Sequence, residues 1–472
     1  MTQLGVNLYI VTMTIWIPDL AGYGGPRYKA IADALATDLR SGRLKPGDRL
    51  PTHRELAYRL GVTVGTVTRA YAEAQRRGLL EGQVGRGSFL AQSSERPSGL
   101  TMPENDATAL IELSLAFPPP KVSDALLQQT LGELARESGI EHFLHYQPHA
   151  GMPQHRAAGV AWIARQGLDV AADQVIVTAG AQHALAVILG ALLQPGDLLL
   201  CENLTYPGIR AAAELYKLRL KGVAMDEHGL KPEELETICR DEAPRALYCM
   251  PTLQNPTGIV MPPERRGAIA EILRKYQLPL IEDDTHCFLA SEGPPLSARV
   301  PELAHYLLST SKSIAPGLRV GFVAVPVGQT APFIAALRAS CWMAPPLLVE
   351  VVARWIGDGT ADRLAAAQLK AAAERQTLTR RMLDGFDWRS HPRSFFGMLH
   401  LPAGWRASDF VAAAARRGLR LRAADAFGVQ HRAPEAIRLC IGGPIDCDRL
   451  GEALTHIVDL LREGPSADNL IV

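Results

Sequence analysis

From residue 111 onward, short apolar runs alternate with longer amphipathic stretches, and that alternation leaves few folds open. The runs are "QVIVTAG" (174–180), "DLLLCE" (197–202), "RALYCMP" (245–251), "PLIEDD" (279–284) and "VGFVAVP" (320–326). Each has strand length and is bounded by turn residues, with a helix-length segment before the next. This pattern predicts an α/β fold built on a mostly parallel sheet. Open sheets of that kind bind ligands beyond the carboxyl ends of their strands, so the residues there are read first.

"VTAGAQHAL" (177–185) is a strand, a small-residue turn and a helix start, and backbone N–H groups around Gly180, Ala181 and Gln182 suit a phosphate. Tyr206 in "LTYPG" follows the next run, where an aromatic face covers a flat ring. Asn255 in "LQNPTG" offers an amide donor in a fixed turn. Asp283 ends an apolar run, and a carboxylate buried there needs a donor or a cation. "LSTSKSIAPGLRVGF" (308–322) sets Lys312 between Ser309, Ser311 and a Pro-Gly turn, with Arg319 seven positions on.

Taken singly, each has an ordinary reading: a surface lysine, a helix-capping acid, a packing tyrosine, a turn-forming asparagine. Together they describe a site for pyridoxal 5′-phosphate. The lysine forms a Schiff base with the aldehyde, and the acid keeps the pyridine nitrogen protonated. The arginine and the helix end neutralise the phosphate.

The N-terminal part reads differently. Residues 26–90 hold twelve Lys and Arg against six Asp and Glu, an excess of six in a chain whose net charge is zero. A basic head on a mildly acidic body suits a polyanion partner. Tyr28, Ile31, Leu35 and Leu39 recur at helical spacing. Thr52 with Glu55 is a capping-box signature opening a second helix, Gly61 marks a tight turn, and Val67, Ala70, Tyr71 and Ala74 stripe a third. "LLEGQVGRGSFL" closes as a glycine-tipped hairpin. This is a winged helix-turn-helix plan, and "LKPGDRLP", "RELAYRLGV", "TVTRAY" and "GRGSF" resemble the GntR-type DNA-binding domain. The resemblance implies that Arg54, Thr63, Thr66 and Arg69 face DNA, with Arg86 and Gly87 in the wing. Val64 stands where many relatives carry an arginine able to read guanine.

The body resembles the fold-type I aminotransferases over most of 111–472, with a smaller C-terminal α+β part at about 385–465. That resemblance makes Lys312 the aldimine lysine, pairs Asp283 with the ring nitrogen, brings Asn255 to the ring oxygen and stacks Tyr206 on the ring. It places Gly180, Ala181, Gln182, Ser309, Ser311 and Arg319 around the phosphate. It also implies that Tyr146, in "HYQPHAGMPQHR" (145–156), reaches the phosphate of a neighbouring subunit, and that Arg438 in "AIRLCIGG" (436–443) binds a substrate carboxylate. Where the family has a tyrosine shortly after the aspartate, "DDTHC" offers Thr285 and His286, and His286 is the candidate substitute donor.

Between head and body, "AQSSERPSGLTMPENDATAL" (91–110) reads as a linker. Residues 1–25 read as a leader too short and wrongly flanked for a signal or a membrane span, with Met13 an alternative start. Seven scattered cysteines without a C-x-x-C pair argue against disulfides and a metal site, and favour the cytoplasm. Head, linker and body in this order resemble the MocR-type transcriptional regulators. The resemblance implies a homodimer that binds a double-stranded DNA operator and senses an amino acid or amine through the cofactor. An active aminotransferase with a DNA-binding head is the alternative, and the residues leave the question of turnover open.

Overall fold

The computed structural model describes residues 16–465 apart from 22, 24, 42, 46, 77–78, 84–86, 91–109, 120–121, 291–292, 431–432 and 444. They form two compact units, one within residues 1–102 and the other within 103–429 and 433–472. Of the expected linker only Leu110 is described, and Arg86 also lies outside the described residues.

In the first unit three helices, α1 (Arg27–Arg40), α2 (His53–Leu60) and α3 (Val64–Arg76), precede the hairpin β1 (Leu80–Gln83) and β2 (Gly87–Leu90). The apolar stripes meet as their spacing requires: Ile31 and Leu35 of α1 are buried with Val67, Ala70, Tyr71 and Ala74 of α3. Thr52 caps α2 by accepting from the Glu55 N–H at 3.3 Å. The Glu55 carboxylate takes Arg59 at 3.0 Å as its partner, so one half of the expected capping box forms. Gly61 ends α2 at φ 63°, a left-handed turn that glycine adopts without strain. Two residues later Thr63 caps α3 by accepting from the Thr66 N–H at 3.2 Å. Residues 48–50 add a further edge to the hairpin, through Leu50 N–H to Ser88 O at 3.0 Å and Leu90 N–H to Asp48 O at 2.9 Å. Trp16, in the stretch expected as a leader, is buried in this core, and its Nε1 donates to Asp38 Oδ2 at 2.8 Å.

The second unit is built on seven strands: β3 (Val175–Thr178), β4 (Leu198–Glu202), β5 (Arg219–Val223), β6 (Ala246–Cys249), β7 (Leu280–Asp283), β8 (Ala304–Ser309) and β9 (Gly321–Ala324). Their order is β3-β9-β8-β7-β6-β4-β5, parallel except for β9, which runs antiparallel to both neighbours. Both faces are covered, and the two-residue strand period divides the side chains between them. Val175, Val177, Phe322 and Ala324 pack with Trp162 and Trp355 on one face. Ile176 and Val323 pack on the other against Ala184, Leu185 and Ile188 of α4 (Ala181–Leu192). A second helix that bears on the site, α5 (Pro207–Leu215), follows β4.

A smaller antiparallel sheet follows: β10 (Asp387–Arg389), β11 (Phe396–His400), β12 (Arg422–Ala423) and β13 (Ala436–Cys440), in the order β10-β11-β13-β12. Its core also takes in Ile111 and Leu113, because the strand Ile111–Glu112 pairs in parallel with Leu419–Arg420. Just after that strand, the Ser114 carbonyl accepts from Arg438 of the small sheet and the Ala116 carbonyl from Lys312. Among the described residues no helix is long and apolar enough to cross a membrane.

Candidate functional site

The parallel neighbours β7 and β8 end side by side, with Asp283 opposite Leu307, and the loop after β8 carries Lys312. Lys312 is half-buried and its amine donates to the Ala116 carbonyl. Burial pulls this amine down to about 8. The Arg438 and Arg319 guanidiniums push the same way, while Cys440 and Asp283 oppose them. An amine in that range keeps a sizeable neutral, nucleophilic fraction at neutral pH.

Asp283 is buried and fully partnered. Oδ2 accepts from the Tyr248 hydroxyl at 2.9 Å, and Oδ1 accepts from the Thr285 hydroxyl at 2.6 Å and from the Thr285 N–H at 3.2 Å. Burial raises its pKa, and the Thr285 and Tyr248 hydrogen bonds together with Lys312 hold it back. Thr285, offered by the sequence in place of a ring-contacting tyrosine, is therefore engaged in orienting the acid.

Arg438, on β13, reaches the turn after β6: Nη1 donates to Asn255 Oδ1 at 2.8 Å, and Nη2 donates to the Ser114 carbonyl. Its guanidinium carbon lies 4.5 Å from the Phe427 ring centroid, a cation–π contact. Nε is buried with no partner.

The end of β3 and the start of α4 make the opposite wall. Gly180, at φ 84°, precedes Ala181 at the helix N-terminus. A Cβ on Gly180 would stand 2.6 Å from Arg319 Nη2, so glycine is what lets that guanidinium lie on the backbone. Arg319 also reaches Ser311 Oγ at 3.5 Å and the Ala179 carbonyl at 3.3 Å, and Ser309 Oγ donates to Ser311 Oγ at 3.0 Å. Tyr206 opens α5, its hydroxyl donating to Gln182 Oε1 at 3.2 Å. Its ring lies so close to Gly208 that a Cβ there would meet Cε1 at 2.1 Å. Burial, reinforced by Asp283, raises the Tyr206 phenol to about 12.

Lys312, Asp283, Arg438, Tyr206 and Arg319 thus lie within electrostatic reach of one another. His286 joins them: it is 3% exposed, and Lys312 and Arg438 are its charged neighbours. Tyr146 is not brought in. It is 80% exposed, with its ring 5.6 Å from that of Trp342.

Several contributors went unread in the sequence. Tyr248 sits inside an apolar strand, where its spacing reads as core. Glu202, at the end of β4, is buried and accepts from the Met250 N–H at 2.6 Å and the Thr205 hydroxyl at 3.2 Å, and burial raises it to about 7. Beyond the site, Glu282 accepts from the Ser297 N–H at 2.6 Å and Asp284 from the Tyr306 hydroxyl at 2.7 Å, with Arg266 buried nearby. All three acids of "IEDD" are buried, and the run of carboxylates at the end of an apolar strand was the available signal.

These residues fit pyridoxal phosphate. The donor set of Ser309, Ser311, Arg319 and the α4 N-terminus suits a phosphate. Arg438 Nε and both His286 ring nitrogens are buried polar atoms without partners, the condition a polar ligand relieves.

In the head, Arg54, Thr63 and Arg69 are exposed and Thr66 is half-buried. The Thr63 and Thr66 hydroxyls lie 2.9 Å apart at the start of α3, beside Val64, which is 45% exposed. Gly87 opens β2.

Residues 109–457 match the family "Aminotransferase class I and II", whose members use pyridoxal phosphate, and residues 27–90 match "Bacterial regulatory proteins, gntR family". The chain is 32% identical over 448 residues to the HTH-type transcriptional regulator YdeF of Bacillus subtilis, covering 94% of this chain and 96% of that one. It is 26% identical over 404 residues to the probable rhizopine catabolism regulatory protein MocR of Rhizobium meliloti, covering 79% and 80%. The body superposes on the kynurenine aminotransferase of Pyrococcus horikoshii, solved in complex with PMP. The TM-score is 0.70 at 23% identity, over 76% of this chain and 92% of that one, a likeness of fold. With a GntR head and an aminotransferase body in one chain, the protein belongs to the MocR-type transcriptional regulators of the GntR family.

Proposed function

We propose that the body holds pyridoxal 5′-phosphate at Lys312, and that an amino acid or amine arriving there changes the grip of the head on its operator. The observation that carries this reading is the convergence of three groups. They are a lysine amine lowered to about 8, an aspartate held by Tyr248 and Thr285, and a buried guanidinium with one unpaired N–H. When bound, the cofactor supplies an aldehyde carbon that can exchange one amine for another.

The chain's own groups prepare for that exchange. Lys312 is partly neutral and so able to attack. Tyr248 and Thr285 fix Asp283 toward a ring nitrogen. Arg438 offers a charge-assisted donor to a ligand carboxylate, and its contact with Asn255 links ligand capture to the loop over the site. Ser309, Ser311, Arg319, Gly180, Ala181 and Gln182 hold the phosphate, and Tyr206 covers the ring.

In the head, Arg54 and Arg69 face phosphates and the α3 N-terminus faces the major groove. A homodimer in the cytoplasm completes the proposal. Leu144 and Tyr146 are 86% and 80% exposed, with the Tyr146 ring 5.6 Å from that of Trp342, exposed apolar groups of the kind a second copy covers. In that dimer Tyr146 serves the partner's site. A ligand acts as a switch only by binding one arrangement better than another.

The experiment is borohydride reduction of the protein loaded with pyridoxal phosphate, followed by peptide mass spectrometry. A pyridoxyl adduct on Lys312, lost in Lys312→Ala, supports the reading. An unmodified Lys312 overturns it. Steady transamination that survives removal of the head would favour the enzyme alternative.

A further inference from the structure

We propose that His286 donates a hydrogen bond to the phenolic ring oxygen of the cofactor held at Lys312, and thereby sets that oxygen's affinity for a proton. The inference rests on the cofactor reading above. It starts from an anomaly: His286 is 3% exposed, yet neither Nδ1 nor Nε2 has a hydrogen-bond partner. A neutral imidazole carries one donor and one acceptor, and buried groups of that kind are almost always paired. Two unpaired nitrogens on one buried ring mark a place where something else supplies the partner.

The ring is held for the task. It lies edge-on to Phe396 of β11, with centroids 5.1 Å apart and planes at 74°. It follows Asp283 by three residues, on the turn that leaves β7. The two hydroxyls at this end of the strand are committed. The Thr285 hydroxyl is bound to Asp283 Oδ1 at 2.6 Å, and the Tyr248 hydroxyl to Oδ2 at 2.9 Å. Asn255 Oδ1 accepts from Arg438 at 2.8 Å, which turns its amide N–H the other way as a second donor that His286 would join.

The charged groups that face His286 are Lys312, on the loop after β8, and Arg438, on β13. Burial first, and these two cations next, pull the imidazole down to about 3. The ring therefore stays neutral, with its single N–H in place, across the pH range in which a bound cofactor changes colour. A donor at the oxygen favours its deprotonated form, so losing the donor moves that colour change to higher pH.

The test is a pH titration of the visible absorbance of the cofactor-loaded full chain. His286→Phe is expected to raise the midpoint by about one pH unit, equivalent to a tenfold change in proton affinity. His286→Asn, which keeps an N–H donor, is expected to fall between wild type and the phenylalanine variant. If His286→Phe does not fold, His286→Leu takes its place in the comparison with asparagine. An unchanged midpoint in the donor-less variant, with Lys312 still labelled, overturns the assignment to His286 and leaves the cofactor reading standing. A wild-type protein that acquires no visible band overturns both.

Discussion

Arg438 and Asn255 tie the small sheet to the turn that follows β6: the guanidinium donates to the Asn255 amide oxygen, 2.8 Å away. Both side chains are buried, at 4% exposure each. The contact anchors one arm of the guanidinium to that turn while its Nε stays unpaired.

Removing that guanidinium should therefore separate ligands by their chemistry. In Arg438→Ala, affinity for amino acids is expected to fall by about 2–3 kcal/mol, some 30- to 150-fold, the worth of a charge-assisted hydrogen bond. Amines without a carboxylate should lose little. Paired spectral titrations with an amino acid and its decarboxylated amine measure the difference, and an equal loss for both would argue against a carboxylate role.

Glu202 should give the body a distinctive pH dependence. Burial lifts its carboxyl from 4.5 to about 7, so the folded state keeps a proton that the unfolded chain releases. The group's contribution is intact below about pH 4.5, falls as pH rises toward 7, and is flat above. Asp284, raised to about 7, acts in the same direction. Glu202→Gln keeps an acceptor for the Met250 N–H and removes the titration. It is expected to flatten the pH 5–8 dependence of the unfolding midpoint, by at most about 3 kcal/mol. Unfolding curves at the two pH values check this, and a slope identical to wild type would contradict it.

Trp16 should matter to the head despite lying before its first helix. The ring is buried with Ile31 and Leu35, and its N–H is bound to Asp38. Trp16→Ala is expected to destabilise the head by about 3–5 kcal/mol and to remove DNA binding at 37 °C, while leaving cofactor absorbance untouched. Thermal melts of DNA binding and of the visible band, taken together, separate the two effects.

DNA binding itself should be strongly dependent on salt. Arg54→Ala and Arg69→Ala are each expected to lower affinity on all sequences alike and to reduce the slope of log affinity against log salt by about 0.9. Val64→Arg, in contrast, places a guanidinium at the exposed start of α3 and is expected to change which sequences are preferred. Titrations at several salt concentrations on specific and random DNA distinguish positioning from base reading.

How far these features were legible differs from residue to residue. Lys312, Asp283, Asn255, Tyr206 and Gly180 were readable because each ends or follows a strand-length run, and strand ends gather in space. The three helices of the head were readable from their apolar spacing. Tyr248 and Glu202 were not, since a residue inside or just closing an apolar run looks like core until its neighbour across the sheet is known. Nor did the sequence show that Thr285 turns back onto Asp283, a matter of side-chain rotation on a single turn. It also gave no sign that Arg438 spends one arm on Asn255, because 183 residues separate them. The place of Trp16 in the core of the head went unread for a similar reason. Its partners lie on helices further along, and the run around it has no helical period.

We infer that chemistry at Lys312 is felt by the head. This coupling is tested most directly by measuring the DNA affinity of the cofactor-loaded full chain against a panel of amino acids and amines, in wild type and in Lys312→Ala. At least one compound is expected to alter the visible spectrum and to shift DNA affinity by about 5- to 150-fold, with both effects gone in the variant. DNA affinity indifferent to every compound that alters the spectrum would contradict it.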